Sequence, residues 1–101
     1  MRSRWSAYAV GEIDYIIATT DPDGAQAHHD RAAWAAEIAA FSAHTRFEKL
    51  DIRDAPPADE DRGEVRFHAK LSRDGRDVSF VERSEFIRRD GRWLYRQPLE
   101  D

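Results

Sequence analysis

EVRFHAKLSRDGRDVSFVERSEFIRRDGRWLYR, Glu64 to Arg96, decides the fold. The tetrapeptide RDGR occurs twice in it, at Arg73 to Arg76 and at Arg89 to Arg92, each time between strand-like runs. Asp-Gly suits a two-residue turn whose central positions both need positive φ, so each copy predicts a hairpin tip. Before the first tip, Val65, Phe67, Ala69 and Leu71 alternate with Glu64, Arg66, His68 and Lys70. One face of that strand therefore meets a core and the other meets water. A second strand is expected from about Arg76 to Arg88. A third carries Trp93 and Tyr95 on one face and ends near Pro98.

Moving toward the N terminus, Ala55 to Arg62 holds Pro56 and Pro57 followed by Asp59, Glu60 and Asp61, a composition that no central strand accommodates. It reads as a surface loop. Arg46 to Arg53 returns to period two, with Leu50 and Ile52 opposed to Lys49, Asp51 and Arg53, and makes a fourth strand. Asp30 is placed to cap a helix over Arg31 to His44, in which Trp34, Ile38 and Phe41 fall at i, i+4 and i+7. Two shorter helices come earlier. One runs from Met1 to Val10 with Met1, Trp5 and Tyr8 on a stripe and Gly11 at its C-terminal cap. The other spans Glu12 to Thr20 with Ile13, Ile16 and Ile17 together, and stops at the turn cluster Asp21-Pro22-Asp23-Gly24. Helices first and antiparallel strands afterwards make an α+β layout in one domain over residues 1–101.

The composition narrows the function classes. Of 101 residues, 41% are hydrophobic and 11% aromatic, enough to stock one core. Sixteen Lys and Arg against twenty Asp and Glu leave a net charge of −4, which offers no general attraction to a phosphate backbone, so no nucleic-acid partner is expected. Without cysteine there is no disulfide frame, thiolate metal site or Cys nucleophile. The longest apolar runs are about five residues, against the roughly 20 that span a bilayer, and MRSRWSAY lacks the apolar run of a secretory signal. The expectation is a cytoplasmic protein with no membrane partner.

MRSRWSAYAVGEIDYIIATT at the start and VERSEFIRRDGRWLYR near the end resemble the YchJ-like family of bacterial proteins. The most specific parts are Met1 to Tyr8 and the set Glu82, Arg83, Ser84, Phe86 followed by Asp90-Gly91-Arg92-Trp93, whereas Asp21 to Asp61 matches loosely. The resemblance implies a nuclear-transport-factor-like (cystatin-like) fold: a cone of curved antiparallel sheet, about four strands, closed by three N-terminal helices. An open antiparallel sheet of four strands leaves one face to be covered, and related folds often pair through that face, so two copies are expected to pair there. Longer members carry cysteine-rich SEC-C zinc segments, and nothing of that kind occurs here. Because the chain opens inside the motif, it reads as a short homologue or a fragment of a longer protein.

Along Val78 to Arg88, Phe80, Glu82, Ser84 and Phe86 share one face, so a carboxylate and a hydroxyl point where a core or pocket should lie. A carboxylate buried there needs a partner, and an arginine of the first helix, Arg4 before Arg2, is the natural one. Arg2, Arg4, Tyr8, Glu82 and Ser84 are therefore the candidate ligand-binding residues, with a structural ion pair as the competing explanation. Consecutive His28, His29 and Asp30 seldom aim at one ion, so no metal is expected, and His68 lies on the polar face of its strand. Trp5, Trp34, Trp93, Tyr8 and Tyr95 sit on apolar stripes and are expected in the core. There is no G-x-S-x-G, no Gly-rich phosphate loop and no cofactor motif, so no residue receives a catalytic role and no cofactor is implied. The favoured reading is a small-ligand-binding or protein-interaction module that takes a small apolar or polar ligand. The alternative is a small-molecule enzyme of isomerase, hydrolase or cyclase type using the cone cavity.

Overall fold

Both RDGR segments turn as the Asp-Gly chemistry requires. Asp74 and Gly75 adopt φ of 52° and 77°, and Asp90 and Gly91 adopt 51° and 77°. In this computed structural model, which describes residues 2–99, three helices precede the sheet: α1 (Arg2–Val10), α2 (Ile13–Ala18) and α3 (Arg31–His44). The strands are β1 (Arg46–Asp54), β2 (Arg62–Arg73), β3 (Arg76–Asp77), β4 (Phe80–Arg89) and β5 (Arg92–Leu99). They form one antiparallel sheet in the order β1-β2-β4-β5, with the two-residue β3 paired to β2. This is the expected nuclear-transport-factor-like α+β architecture, with β3 and β4 together standing for the single strand expected after the first turn. Met1, placed on the stripe of the first helix by the sequence reading, lies outside the described residues.

That strand is interrupted at Val78 and Ser79 because a side chain takes over the ladder. The Ser79 hydroxyl accepts from the Leu71 amide at 3.0 Å and donates to the Leu71 carbonyl at 3.3 Å, while the Asp77 carboxylate accepts from the Ser79 amide at 2.8 Å. Register irregularities between Phe47 and Lys49, between Ile52 and Asp54, and between Glu85 and Phe86 bend the sheet, as extra residues on one strand do. The last of these sets Phe86 opposite Tyr95 and Arg88 opposite Trp93. Across β2 and β4, Val65 faces Ser84 and Phe67 faces Glu82, so the polar pair shares the concave face with the apolar row of β2.

The helices close that face. Asp30 caps α3 by accepting from the amides of Ala32 and Ala33. Gly11, at φ 76°, turns the chain out of α1. α2 stops at Ala18, earlier than expected, because the following residues dock on β5: Tyr95 donates its amide to the Thr19 carbonyl and Asp21 donates to the Tyr95 carbonyl, both at 2.8 Å. Ala7, Ile16, Ile17 and Ile38 form one core cluster among the helices. Phe67, Ala69 and Leu71 form a second, against which Trp5, Phe41, Phe47, Leu50, Ile52 and Val65 pack.

Two expectations about α1 and β5 need correcting. The most buried side chains of α1 are Arg4 and Ala7, while Trp5 and Tyr8 are only half-buried. Trp93 is no core residue: it stays 40% exposed, because β5 is an edge strand and the ring lies beside Gly63, with the Arg88 guanidinium 5.7 Å from its centre. Among the described residues no helix is long and apolar enough to cross a membrane.

Candidate functional site

The concave face leaves space between sheet and helices in two places. The larger cavity, about 740 Å³, is walled by Val65, Phe86, Trp93 and Leu94 of the sheet, by Ser3, Arg4, Tyr15 and Thr19 of the helical layer, and by the loop residues Ala55, Pro56 and Ala58. The smaller, about 170 Å³, lies deeper among Tyr8, Phe41, Phe47, Phe67 and Phe80, and receives Glu82, Ser84 and Tyr95. Arg4 lines both. Four of the five expected ligand-binding residues, Arg4, Tyr8, Glu82 and Ser84, thus meet at one cavity. Arg2 does not: two residues from Arg4 it is rotated by about 200° around α1 and is exposed.

Arg4 holds the helical layer together from inside. Its Nη1 donates to the Ile16 carbonyl at 3.2 Å, to Thr19 Oγ1 at 2.7 Å and to Thr20 Oγ1 at 3.1 Å. The guanidinium lies 5.1 Å from the Tyr95 ring centre and 5.9 Å from that of Tyr8. Burial lowers its pKa from the ordinary arginine value, with the neighbouring tyrosines and Glu82 acting against that shift. Burial likewise raises the Tyr8 phenol, a shift that Arg4 partly offsets.

The expected ion pair between Arg4 and Glu82 does not form. Glu82 finds its partners within the sheet: Ser84 donates to it at 2.5 Å and the Tyr95 hydroxyl at 3.2 Å. Tyr95 therefore stands between the two charges, its ring against the cation and its hydroxyl on the carboxylate. Burial and then the adjacent Glu82 charge push the Tyr95 pKa well above that of a free tyrosine, which keeps it a donor.

Several contributors escaped sequence reasoning. Thr19 and Thr20 looked like a helix end, and nothing in their spacing announced that they would accept from a residue fifteen and sixteen positions earlier. Asp21 looked like a turn residue, yet it is fully buried, engaged by Arg89 at 2.9 Å and by Arg96 at 3.1 Å, and it ties the loop after α2 to β4 and β5. The histidines stand apart from the cavities' polar groups: His28 pairs with Glu37 at 2.9 Å, and His68 is half-buried on β2. Among the described residues no group of three or more His, Asp or Glu side chains is arranged to hold a metal.

The sequence matches the family described as YchJ, middle NTF2-like domain, over residues 1–98. A UPF0225 protein of Vibrio vulnificus (strain YJ016) is 35% identical over 96 residues, covering 94% of this chain and 54% of that protein. The chain spans about half the length of the curated relatives it matches. Among solved structures, a SEC-C motif containing protein from Rhodopseudomonas palustris superposes with a TM-score of 0.81 at 32% identity, covering 100% of this chain and 75% of that one. An LEH-like epoxide hydrolase of M. tuberculosis superposes with a TM-score of 0.64 at 19% identity, covering 90% and 69%, a likeness of fold alone.

Proposed function

This chain belongs to the YchJ middle NTF2-like domain family, and from that premise we propose that it is a small-ligand-binding module which holds a small, mostly apolar molecule between the concave sheet face and helices α1 and α2. The observation that carries this reading is the cavity of about 740 Å³, within the roughly 300–1,000 Å³ of known small-molecule sites and walled by Val65, Phe86, Trp93 and Leu94. Two aromatic rings at it, Trp93 and Tyr15, remain 40% and 41% exposed, apolar surface that a ligand would cover. N-phenyl-1-naphthylamine, a neutral dye whose emission rises in apolar surroundings, provides the test. Saturable one-to-one binding that weakens several-fold in Trp93→Ala, and not in the outer-face variant Val81→Ser, supports the reading. Absence of saturable binding to the natively folded protein overturns it.

One observation favours a second reading, an enzyme acting on a small molecule in the same cone. Glu82 presents a carboxylate to the smaller cavity, positioned by the hydroxyls of Ser84 and Tyr95, a set able to hold and pass a proton. Fold similarity carries no activity with it. This reading requires turnover of a small epoxide or ester that Glu82→Gln abolishes while dye binding persists, and the binding module requires no turnover.

A further inference from the structure

Arg4 stands out on charge grounds. It is 6% exposed, yet no carboxylate forms an ion pair with it among the described residues. The buried acids of the molecule are treated differently. Asp21 is matched by Arg89 and Arg96, and Glu85 by Arg62 at 2.6 Å and Arg96 at 3.4 Å. Arg4 instead meets neutral oxygens through Nη1, one of three nitrogens in a group with five N–H donors, and Glu82 acts on it only from beyond the Tyr95 ring. Withdrawing a cation from water without a counter-ion is costly, and the cost falls when an anion arrives beside it.

The walls of the larger cavity have the same bias. Among the described residues its one carboxylate is Glu64, already engaged by Arg62 at 2.9 Å and Arg83 at 3.3 Å. Its second cation, Arg92, is exposed and joins no ion pair among the described residues. An apolar chamber with a buried guanidinium in its wall and another guanidinium on an exposed residue of its lining is complementary to an apolar body bearing one negative charge. We propose that the cone selects small apolar monoanions, with the anionic group seated against Arg4 and within reach of Arg92. This rests on the binding-module reading above and adds the charge of the ligand to it.

Two dyes with the same rings separate the two claims: neutral N-phenyl-1-naphthylamine and its sulfonated counterpart 1-anilinonaphthalene-8-sulfonate. The wild-type protein is expected to bind the sulfonate about tenfold more tightly than the neutral dye, a preference worth about 1.4 kcal/mol. Raising the salt concentration should erode that preference, and Arg4→Gln should bring the ratio close to one. Because Arg4 also ties α1 to α2, its variant is first checked for native near-ultraviolet circular dichroism. Should it fail to fold, Arg92→Gln decides, with at least a threefold fall in the ratio expected. Binding of both dyes with equal affinity, or a ratio that neither variant alters, overturns the anion proposal and leaves the cavity reading intact. Binding of neither overturns both.

Discussion

Replacing Arg4 by methionine keeps an unbranched stem on α1 and removes the cation, and the structure sets the size of the effect. Nη1 carries two hydrogens, so its contacts at 2.7, 3.1 and 3.2 Å amount to about two charged hydrogen bonds of roughly 1.5–3 kcal/mol each. The ring contacts with Tyr95 and Tyr8 add about 1 kcal/mol. Against this, deleting the buried cation recovers a desolvation cost of several kcal/mol. The acceptors are not stranded, since Thr19 still bonds the Tyr15 carbonyl and Thr20 the Ile16 carbonyl. The net loss should be about 2 kcal/mol, seen in urea unfolding by far-ultraviolet circular dichroism as a lower midpoint with an unchanged slope. A double-mutant cycle with Glu82→Gln should show a coupling under about 1 kcal/mol, because Tyr95 separates the two charges. A loss above about 4 kcal/mol, the cost of breaking a buried ion pair, or a coupling of that size, would refute the geometry described for Arg4.

Three other expectations concern the frame around the cavity. Gly24→Ala should cost roughly 1–3 kcal/mol in urea unfolding, since an added Cβ would lie 2.5 Å from the Arg96 carbonyl oxygen with backbone on both sides; wild-type stability would mean that the loop yields. Burial alone would raise the pKa of Glu85, but Arg62, Gln97 and Arg96 together hold it below the usual 4.5. A depressed folded-state pKa contributes stability above the usual glutamate range and loses it as pH falls through the folded value. The advantage of wild type over Glu85→Gln should thus be full at neutral pH and shrink below about pH 4.5, and an advantage that grows toward acid would contradict this. Finally, pairing of two copies through the outer sheet face, where Val81 is 55% exposed and Ile87 half-buried, should appear in sedimentation equilibrium as a concentration-dependent mass approaching twice 11.7 kDa; a monomer at about millimolar concentration would exclude it.

What could be read from the sequence was local. The hairpin tips follow from Asp-Gly chemistry at Asp74-Gly75 and Asp90-Gly91, and α3 follows from the Asp30 cap and the stripe of Trp34, Ile38 and Phe41. Strand alternation placed Glu82 and Ser84 on the concave face, with Phe67 and Val65 opposite them. What could not be read depends on contacts distant in the chain. The face shared by Phe80, Glu82 and Phe86 called for a cation and pointed to Arg4, but the partners that make a buried Arg4 tolerable are Thr19 and Thr20 rather than Glu82, and no spacing announced them. Asp21 has the composition of a turn, and its burial depends on arginines 68 and 75 positions away. The irregularity between Glu85 and Phe86 sets Tyr95 opposite Phe86, and a hydrophobicity pattern carries no mark of it. The cavity is assembled from α1, α2, a loop and three strands, so no single stretch of sequence outlines it.

An amide-resolved NMR titration of the isotope-labelled protein with N-phenyl-1-naphthylamine tests ligand binding in the cone most directly. Saturating shift changes are expected at Gly63, Val65, Phe86 and the Trp93 indole N–H, together with Arg4 and Thr19 across the cavity, while Lys49, His68 and Val81 stay unmoved. Changes confined to those outer-face positions, or none at millimolar dye, would contradict a ligand site between the sheet and the helices.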